Sequence, residues 1–307
     1  MSRKLFAVFS FGMLLSIGVV WSDTQNKAFW MIFEQGNTLM ERNEFGEALK
    51  AYKEAIAVAG VFPEAEIAIG DIYAEEGELD LAKAQYEKAY NQRNAFSVPA
   101  SKYDALYRLA SVYENQEYYK LMEDSLLRIV ADDLRFADQP SSHLRTQIEK
   151  NYFEKGLDHV LVLYRFDEPF SAAAHSKLGW FYYKTGRFAL SVTHYLYAVI
   201  YRASEIANYL RDRDIEFEFS TLEELLNTAQ GRRELLKYIA EKDLFRDLYY
   251  LAGSTYADGY PQHSLGMWKL IARFPSAGQY VDLSLRQIKK PWTEPFIVNS
   301  STAKKSP

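Results

Sequence analysis

Five histidines, at positions 143, 159, 175, 194 and 263, are the residues best suited to hold a metal or move a proton. None stand at His-x-His or His-x3-His spacing, the arrangements that bring two imidazoles to one face of a strand or helix. They read as isolated surface or interface histidines, and no metal site is expected. Cysteine is absent, which removes a thiol nucleophile, Cys-based zinc sites, disulfides and lipid attachment at a cleavage-site Cys. Gly253-Ser254 comes nearest to a nucleophile turn, but no Gly-x-Ser-x-Gly occurs, and no glycine-rich loop suited to phosphate. The carboxylates of Asp132-Asp133 and Glu223-Glu224 are adjacent, so they point to different faces of a helix and make no acid–base pair. With no constellation for catalysis, neither enzyme activity nor a cofactor is expected.

The elements that would position any site are helices. The chain has 15 Gly and only 9 Pro in 307 residues, few breakers for its length, which favours long helices joined by short turns. Net charge is -5 and no run of Lys/Arg interleaves with aromatics, so nucleic acid is not an expected partner. At the N-terminus Ser2-Arg3-Lys4 precedes a run from Leu5 to Trp21 that is apolar apart from Ser10, Ser16 and two glycines. That charge-then-apolar order is the pattern of an export signal. The run is at the short limit for a membrane span, so it is read as a cleaved signal over 1–22 or as an anchor over 5–21. Either places the body outside the cytoplasm, in the periplasm if the cell is bacterial.

An internal repeat then emerges. Shifted by 34 positions, Gly36 falls on Gly70, Phe45 on Leu79, Ala48 on Ala82, Tyr52 on Tyr86 and Ala55 on Ala89. Gly179, Tyr182, Gly186, Phe188, Ser191, Tyr195 and Ala198 repeat the offsets, and Ala110, Tyr113, Tyr119, Met122, Leu126 and Ile129 do so more loosely. Leu157, Leu161 and Tyr164 suggest a degenerate copy between these two, and Ala252-Gly253, Tyr256, Gly259 and Ala272 one more near the C-terminus. This pattern resembles the tetratricopeptide repeat. The resemblance spans about 29–290 and implies an all-α, right-handed solenoid of about six stacked helical hairpins plus irregular helices over 205–245. The small residues sit where two helices cross closely; the large ones fill the volume between hairpins. Along the chain this gives repeats at 23–131, degenerate and clear repeats at 132–205, irregular helices and a last hairpin at 206–290, and a disordered tail at 291–307. Breaks are expected at 131–142 and 203–219.

The resemblance also implies a binding surface. In such solenoids the first helix of each hairpin lines a concave groove. The family's groove positions select Trp30, Phe33, Asn37, Met40 and Glu41, then Glu64, Ile67, Asp71 and Glu75, then Asp104, Tyr107, Ser111 and Glu114. An acidic groove with apolar anchors is expected to accept a basic or amphipathic segment of a partner protein. The branch of the family that grips a C-terminal carboxylate requires basic residues where Phe33 and Glu64 stand, and only Asn37 matches. In the later copy Trp180 and Tyr183 take groove positions beside Phe181 and Tyr182, so an exposed aromatic patch is expected there unless later helices cover it. The functional expectation is a non-catalytic scaffold or assembly factor for an envelope complex. The alternative, a periplasmic ligand-binding or transporter accessory component, requires a closed pocket with convergent polar groups.

Overall fold

The computed structural model describes residues 28–137 and 143–293, all of whose regular elements are helices. The expected signal or anchor therefore lies outside the described residues, as does most of the expected tail. Three hairpins open the described residues: α1 (Phe29–Glu41) with α2 (Phe45–Ala59), α3 (Pro63–Glu75) with α4 (Leu79–Asn91), and α5 (Lys102–Asn115) with α6 (Tyr119–Ala131). Phe45, Ala48, Leu49, Tyr52, Ala55, Ile56 and Ala59 make one stripe at helical spacing along α2, which fixes the side that turns inward. Pro63 opens α3 with Glu64 and Glu66 in its first turn, where a missing N–H and a negative charge both suit the helix N-terminus.

In the hairpins that carry Gly36, Gly70 and Gly179 the crossing is close because the first helix offers no side chain there; Ala110 takes the place in α5. A Cβ added at Gly36 would lie 2.5 Å from Tyr52 Cε1, and one at Gly70 the same distance from Tyr86 Cε1. Gly179 meets Tyr195 at 2.8 Å. Seven positions after Gly36, Gly70, Ala110 and Gly179, the turn residue has positive φ in every case: Asn43, Gly77, Glu117 and Gly186. The repeat thus specifies both a contact and a turn. Ala48, Ala55, Ala82, Ala89, Ser191 and Ala198 are all buried at the matching places on the second helices.

The chain then leaves the simple order. α7 (Leu144–Lys155) and α8 (Leu157–Leu163) form the degenerate hairpin, followed by α9 (Ala172–Lys184) and α10 (Phe188–Arg211). α6 packs directly on α9, so the degenerate hairpin is not interposed in the stack. It lies against α10 and the helices beyond: the Tyr152 and Thr255 hydroxyls bond at 2.6 Å, and Thr193 donates to Glu149. Next come α11 (Leu222–Gln230), α12 (Arg233–Glu241), α13 (Leu244–Ala257), α14 (Pro261–Ile271) and α15 (Gln279–Lys289). α13 packs on both α9 and α10, while α11 and α12 loop out to cover α8, α10 and α13.

The break expected from residue 203 begins later, because α10 continues unbroken to Arg211. Its residues from Ser191 to Ala207 are buried apart from Thr193 and Glu205, so neighbours on every side hold the helix past the length of a repeat. Among the described residues three apolar clusters run along the molecule. The second joins α3, α4, α5 and α6 to Ala174, Leu178, Phe181 and Tyr182 of α9, so packing is continuous across the expected boundary at 131/132.

Candidate partner-binding groove and its cavity

The first helices of the stacked hairpins adjoin one another. Phe33 of α1 sits against Phe62 at the entry to α3, with ring centroids 4.9 Å apart. Arg108 of α5 bonds both oxygens of Asp71 on α3, at 2.6 and 2.9 Å. Tyr107 of α5 donates to the Phe170 carbonyl at 2.6 Å and accepts the Ala174 N–H of α9 at 3.0 Å. Lys177 of α9 approaches Glu114 of α5 at 3.4 Å, and Ser176 donates to Asp247 of α13 at 2.7 Å. A continuous wall results.

Several residues expected to await a partner are instead engaged within this wall. The Tyr52 hydroxyl donates to Asn37 at 2.9 Å and Tyr86 to Asp71 at 2.8 Å, one device repeated at the period of the sequence. Burial, reinforced by the Asp71 charge, pushes the Tyr52 hydroxyl up to about 12, so it remains a donor at any physiological pH. Glu64 accepts the Ser97 N–H at 2.7 Å. Glu41 and Glu75 are exposed. The groove is less acidic than the sequence suggested, because Arg108 and Lys177 project onto the same wall and neutralise part of it.

The exposed aromatic patch at α9 does not form. Tyr183 is only 1% exposed, and its ring fills the space beside Gly253 of α13, where an added Cβ would meet it at 3.2 Å. Phe181 and Tyr182 are buried on the side of α6. Helices pack on α9 from two directions, which is how consecutive aromatics are all covered. Trp180 remains half-buried. It occupies the place of Asn37 and Asp71 in the repeat, and the Tyr195 hydroxyl opposite is buried without a partner.

Trp180 borders a cavity of about 400 Å³ between α5, α6, α9, α10, α12 and α13. Glu114, Lys177, Lys242 and Tyr250 line it, along with Arg202 and Arg246. Behind these two guanidiniums Asp247, fully buried, pairs with Arg202 and accepts from Ser176. Arg246 bonds Asp243 at 2.7 Å and Ser176 at 2.7 Å. Burial, with the Arg246 charge beside it, pulls the Arg202 guanidinium down to about 10, still protonated at neutral pH. This network was missed in the sequence. Its signal was present: Arg202 stands in the otherwise apolar run from Val199 to Ala203, and Asp247 before Leu248, and a charge inside an apolar stripe requires a partner.

The histidines also need correction. His175 and His194 are buried, with Nδ1 atoms 3.0 Å apart across the α9–α10 hairpin. His175 Nε2 lies 3.8 Å from Asp133, which also accepts from Ser171 at 2.6 Å and Tyr201 at 2.5 Å. Burial lowers both imidazoles, Asp133 opposing it at His175 and the charges of His175 and Arg145 adding to it at His194. Hydrogen bonds hold the Asp133 carboxyl well below its usual range despite its burial. Sequence spacing does not reveal this pair, because the contact crosses a turn. Among the described residues no group of three or more His, Asp or Glu side chains is placed to hold a metal, and no helix is long and apolar enough to cross a membrane.

The stack of hairpins with a lined inner wall defines an all-helical repeat protein. The tetratricopeptide repeat family matches residues 33–98, from within α1 through α4 to the segment after it. An uncharacterized protein of Borreliella burgdorferi is 24% identical over 311 residues, covering 92% of this chain and 96% of that protein. An uncharacterized protein of Treponema pallidum is 23% identical over 245 residues, covering 78% of this chain and 63% of its own length.

Proposed function

We propose that the protein is a non-catalytic scaffold or assembly factor of the cell envelope that holds a segment of a partner protein along the wall of α1, α3, α5, α9 and α13. The observation that carries this reading is the continuity of that wall: the first helices of successive hairpins adjoin, as in repeats that bind proteins. The location rests on Arg3-Lys4 and the apolar run after them. Exposed Glu41 and Glu75 and half-buried Phe33 offer charge and an aromatic anchor to a basic or amphipathic segment. Asp71 does not belong in that set, since Lys there would face Arg108 and strip Tyr86 of its acceptor.

The test is cross-linked affinity capture from the envelope fraction through a C-terminal tag. Stoichiometric recovery of one envelope assembly, reduced at least tenfold by Glu41→Lys with Glu75→Lys, is the expected result. Recovery of the protein alone after efficient cross-linking would overturn the reading. The alternative, a ligand-binding or transporter accessory component, is favoured by the cavity beside Trp180, and a thermal shift with one metabolite class would support it.

A further inference from the structure

We propose that one edge of the stack, where each hairpin hands the chain to the next, lies on the surface of a phospholipid bilayer. The inference rests on the reading of residues 5–21 as a membrane anchor, and it adds a second contact that an anchor alone does not require.

A hairpin returns the chain to the side from which it came, so the starts of α1, α3 and α5 share an edge with the ends of α2, α4 and α6. Side chains tie that edge together. Phe29 at the start of α1 meets Phe62 in the α2–α3 connection, with ring centroids 5.0 Å apart. Glu64 at the start of α3 accepts the Ser97 N–H of the α4–α5 connection at 2.7 Å. Tyr103 at the start of α5 donates to Asp132, just past α6, at 2.8 Å. The same Tyr103 ring stacks on Phe170, just before α9, at 3.8 Å.

Each of these connections exposes an apolar side chain. Val61 is 53% exposed, Val98 58% and Leu134 74%, and Phe170 is exposed beside Tyr103. Trp30, in the first turn of α1, is 57% exposed. The turns on the opposite edge of the same hairpins are polar: Arg42 to Glu44, Glu76 to Glu78, and Gln116-Glu117. Apolar loop tips in a row on one edge suit a flat, apolar boundary, and an indole suits the headgroup depth of a bilayer.

The origin of the chain and the local charge both select lipid as the occupant. The apolar run ends at Trp21, seven positions before Ala28, so at most about 25 Å of chain separates the anchor from α1. The start of α1 is therefore held near the bilayer surface, and the other connections lie on its side of the molecule. Arg93 of the α4–α5 connection and Arg128 in the last turn of α6 are exposed over the Tyr90 ring, at 5.3 and 5.9 Å. Neither pairs with a carboxylate among the described residues, which leaves both cations for lipid phosphates. The carboxylates beside them are engaged, Glu64 by Ser97 and Asp132 by Lys102 and Tyr103. Exposed Asp167 marks where the row ends, past Phe170.

The chain has no cysteine, so one introduced cysteine carries one environment-sensitive nitrobenzoxadiazole label. The full chain is reconstituted with vesicles of phosphatidylcholine and phosphatidylglycerol. Labels stand at Val61→Cys, Val98→Cys and Leu134→Cys on the proposed edge, and at Arg42→Cys and Glu76→Cys on the opposite one. All five positions are exposed, so the substitutions leave the core intact. Blue-shifted emission, with quenching of about twofold or more by brominated lipid, is expected at the first three positions and at neither of the last two. Arg93→Gln with Arg128→Gln should weaken the quenching at position 98. Edge labels that emit as in water, on a chain that floats with the vesicles, would overturn the proposal and leave the anchor standing. Equal quenching on both edges would also overturn it. A chain that does not float with the vesicles would overturn the anchor reading and this proposal together.

Discussion

The first three hairpins and the helices from α7 onward use different means to the same stack. In the first region, stability is repetitive and mostly apolar: glycine or alanine against a large side chain, alanines at the crossing, and a left-handed turn residue. In the second, the core is larger and polar groups lie inside it, including Arg202, Asp247, Asp133, His175 and His194. Repeats that touch only their neighbours need only local rules. Where α7, α8, α11 and α12 pack on the flank of the stack, contacts join residues far apart in sequence, and buried charges then fix which helix meets which. The lesson is that regularity ends where a hairpin leaves the row, and that buried polar groups, sparse before it (Glu66, Glu123 and Ser125), become numerous beyond it.

The comparison can be broken most forcefully at Asp247. Asp247→Asn leaves two guanidiniums without the carboxylate between them, and a loss of about 3–5 kcal/mol is expected in chemical denaturation. A loss under about 1 kcal/mol would mean that the pair contributes little to holding α10 and α13 together.

Acidification should single out the same region. His175 and His194 have lowered pKa values in the folded state, so below the ordinary value of 6.5 the unfolded chain binds protons that the folded chain does not. Stability is therefore full above that value and falls as pH drops toward the lowered folded values, by up to about 1.4 kcal/mol per histidine per pH unit. The carboxyl of Asp133, depressed when folded, is lost only in the separate window below its ordinary 3.8. Urea midpoints measured from pH 7.5 to 5 should decline, and His175→Gln with His194→Gln should flatten the decline.

In the repetitive region the sharpest test is steric. Gly70→Ala drives a methyl into Tyr86 and should cost about 1–3 kcal/mol. Gly46→Ala, with nothing within 4 Å of the new Cβ, should be neutral or stabilising by up to about 1 kcal/mol. Equal effects at the two sites would remove close crossing as the reason for glycine. The smallest effect concerns the turn: Glu117 adopts φ 60°, and Glu117→Gly should raise stability by about 0.5–1 kcal/mol in a thermal melt.

The fold was legible wherever one hairpin's chemistry repeats. Gly36 and Tyr52 announce a crossing because their spacing recurs at Gly70 with Tyr86 and at Gly179 with Tyr195. The site was legible only as a wall. Groove positions taken from the resemblance fell on the adjoining first helices, but whether a residue on that wall faces a partner or a neighbour depends on the next helix. Asp71 meets Arg108, thirty-seven positions away, and Tyr183 meets Gly253, seventy positions away. No local pattern carries such a pairing.

The sequence by itself determined helices, their turns and the contact within each regular hairpin, because those depend on residues a few turns apart. It also excluded thiol chemistry outright through the absence of cysteine. Only the tertiary structure decided that α6 meets α9 past the degenerate hairpin, that the α9 aromatics are covered, that two histidines touch, and that two arginines converge on a cavity. The physical reason is common to all four. Packing between non-adjacent helices is set by shape and by the pairing of buried charge over the whole chain, and neither leaves a period to read.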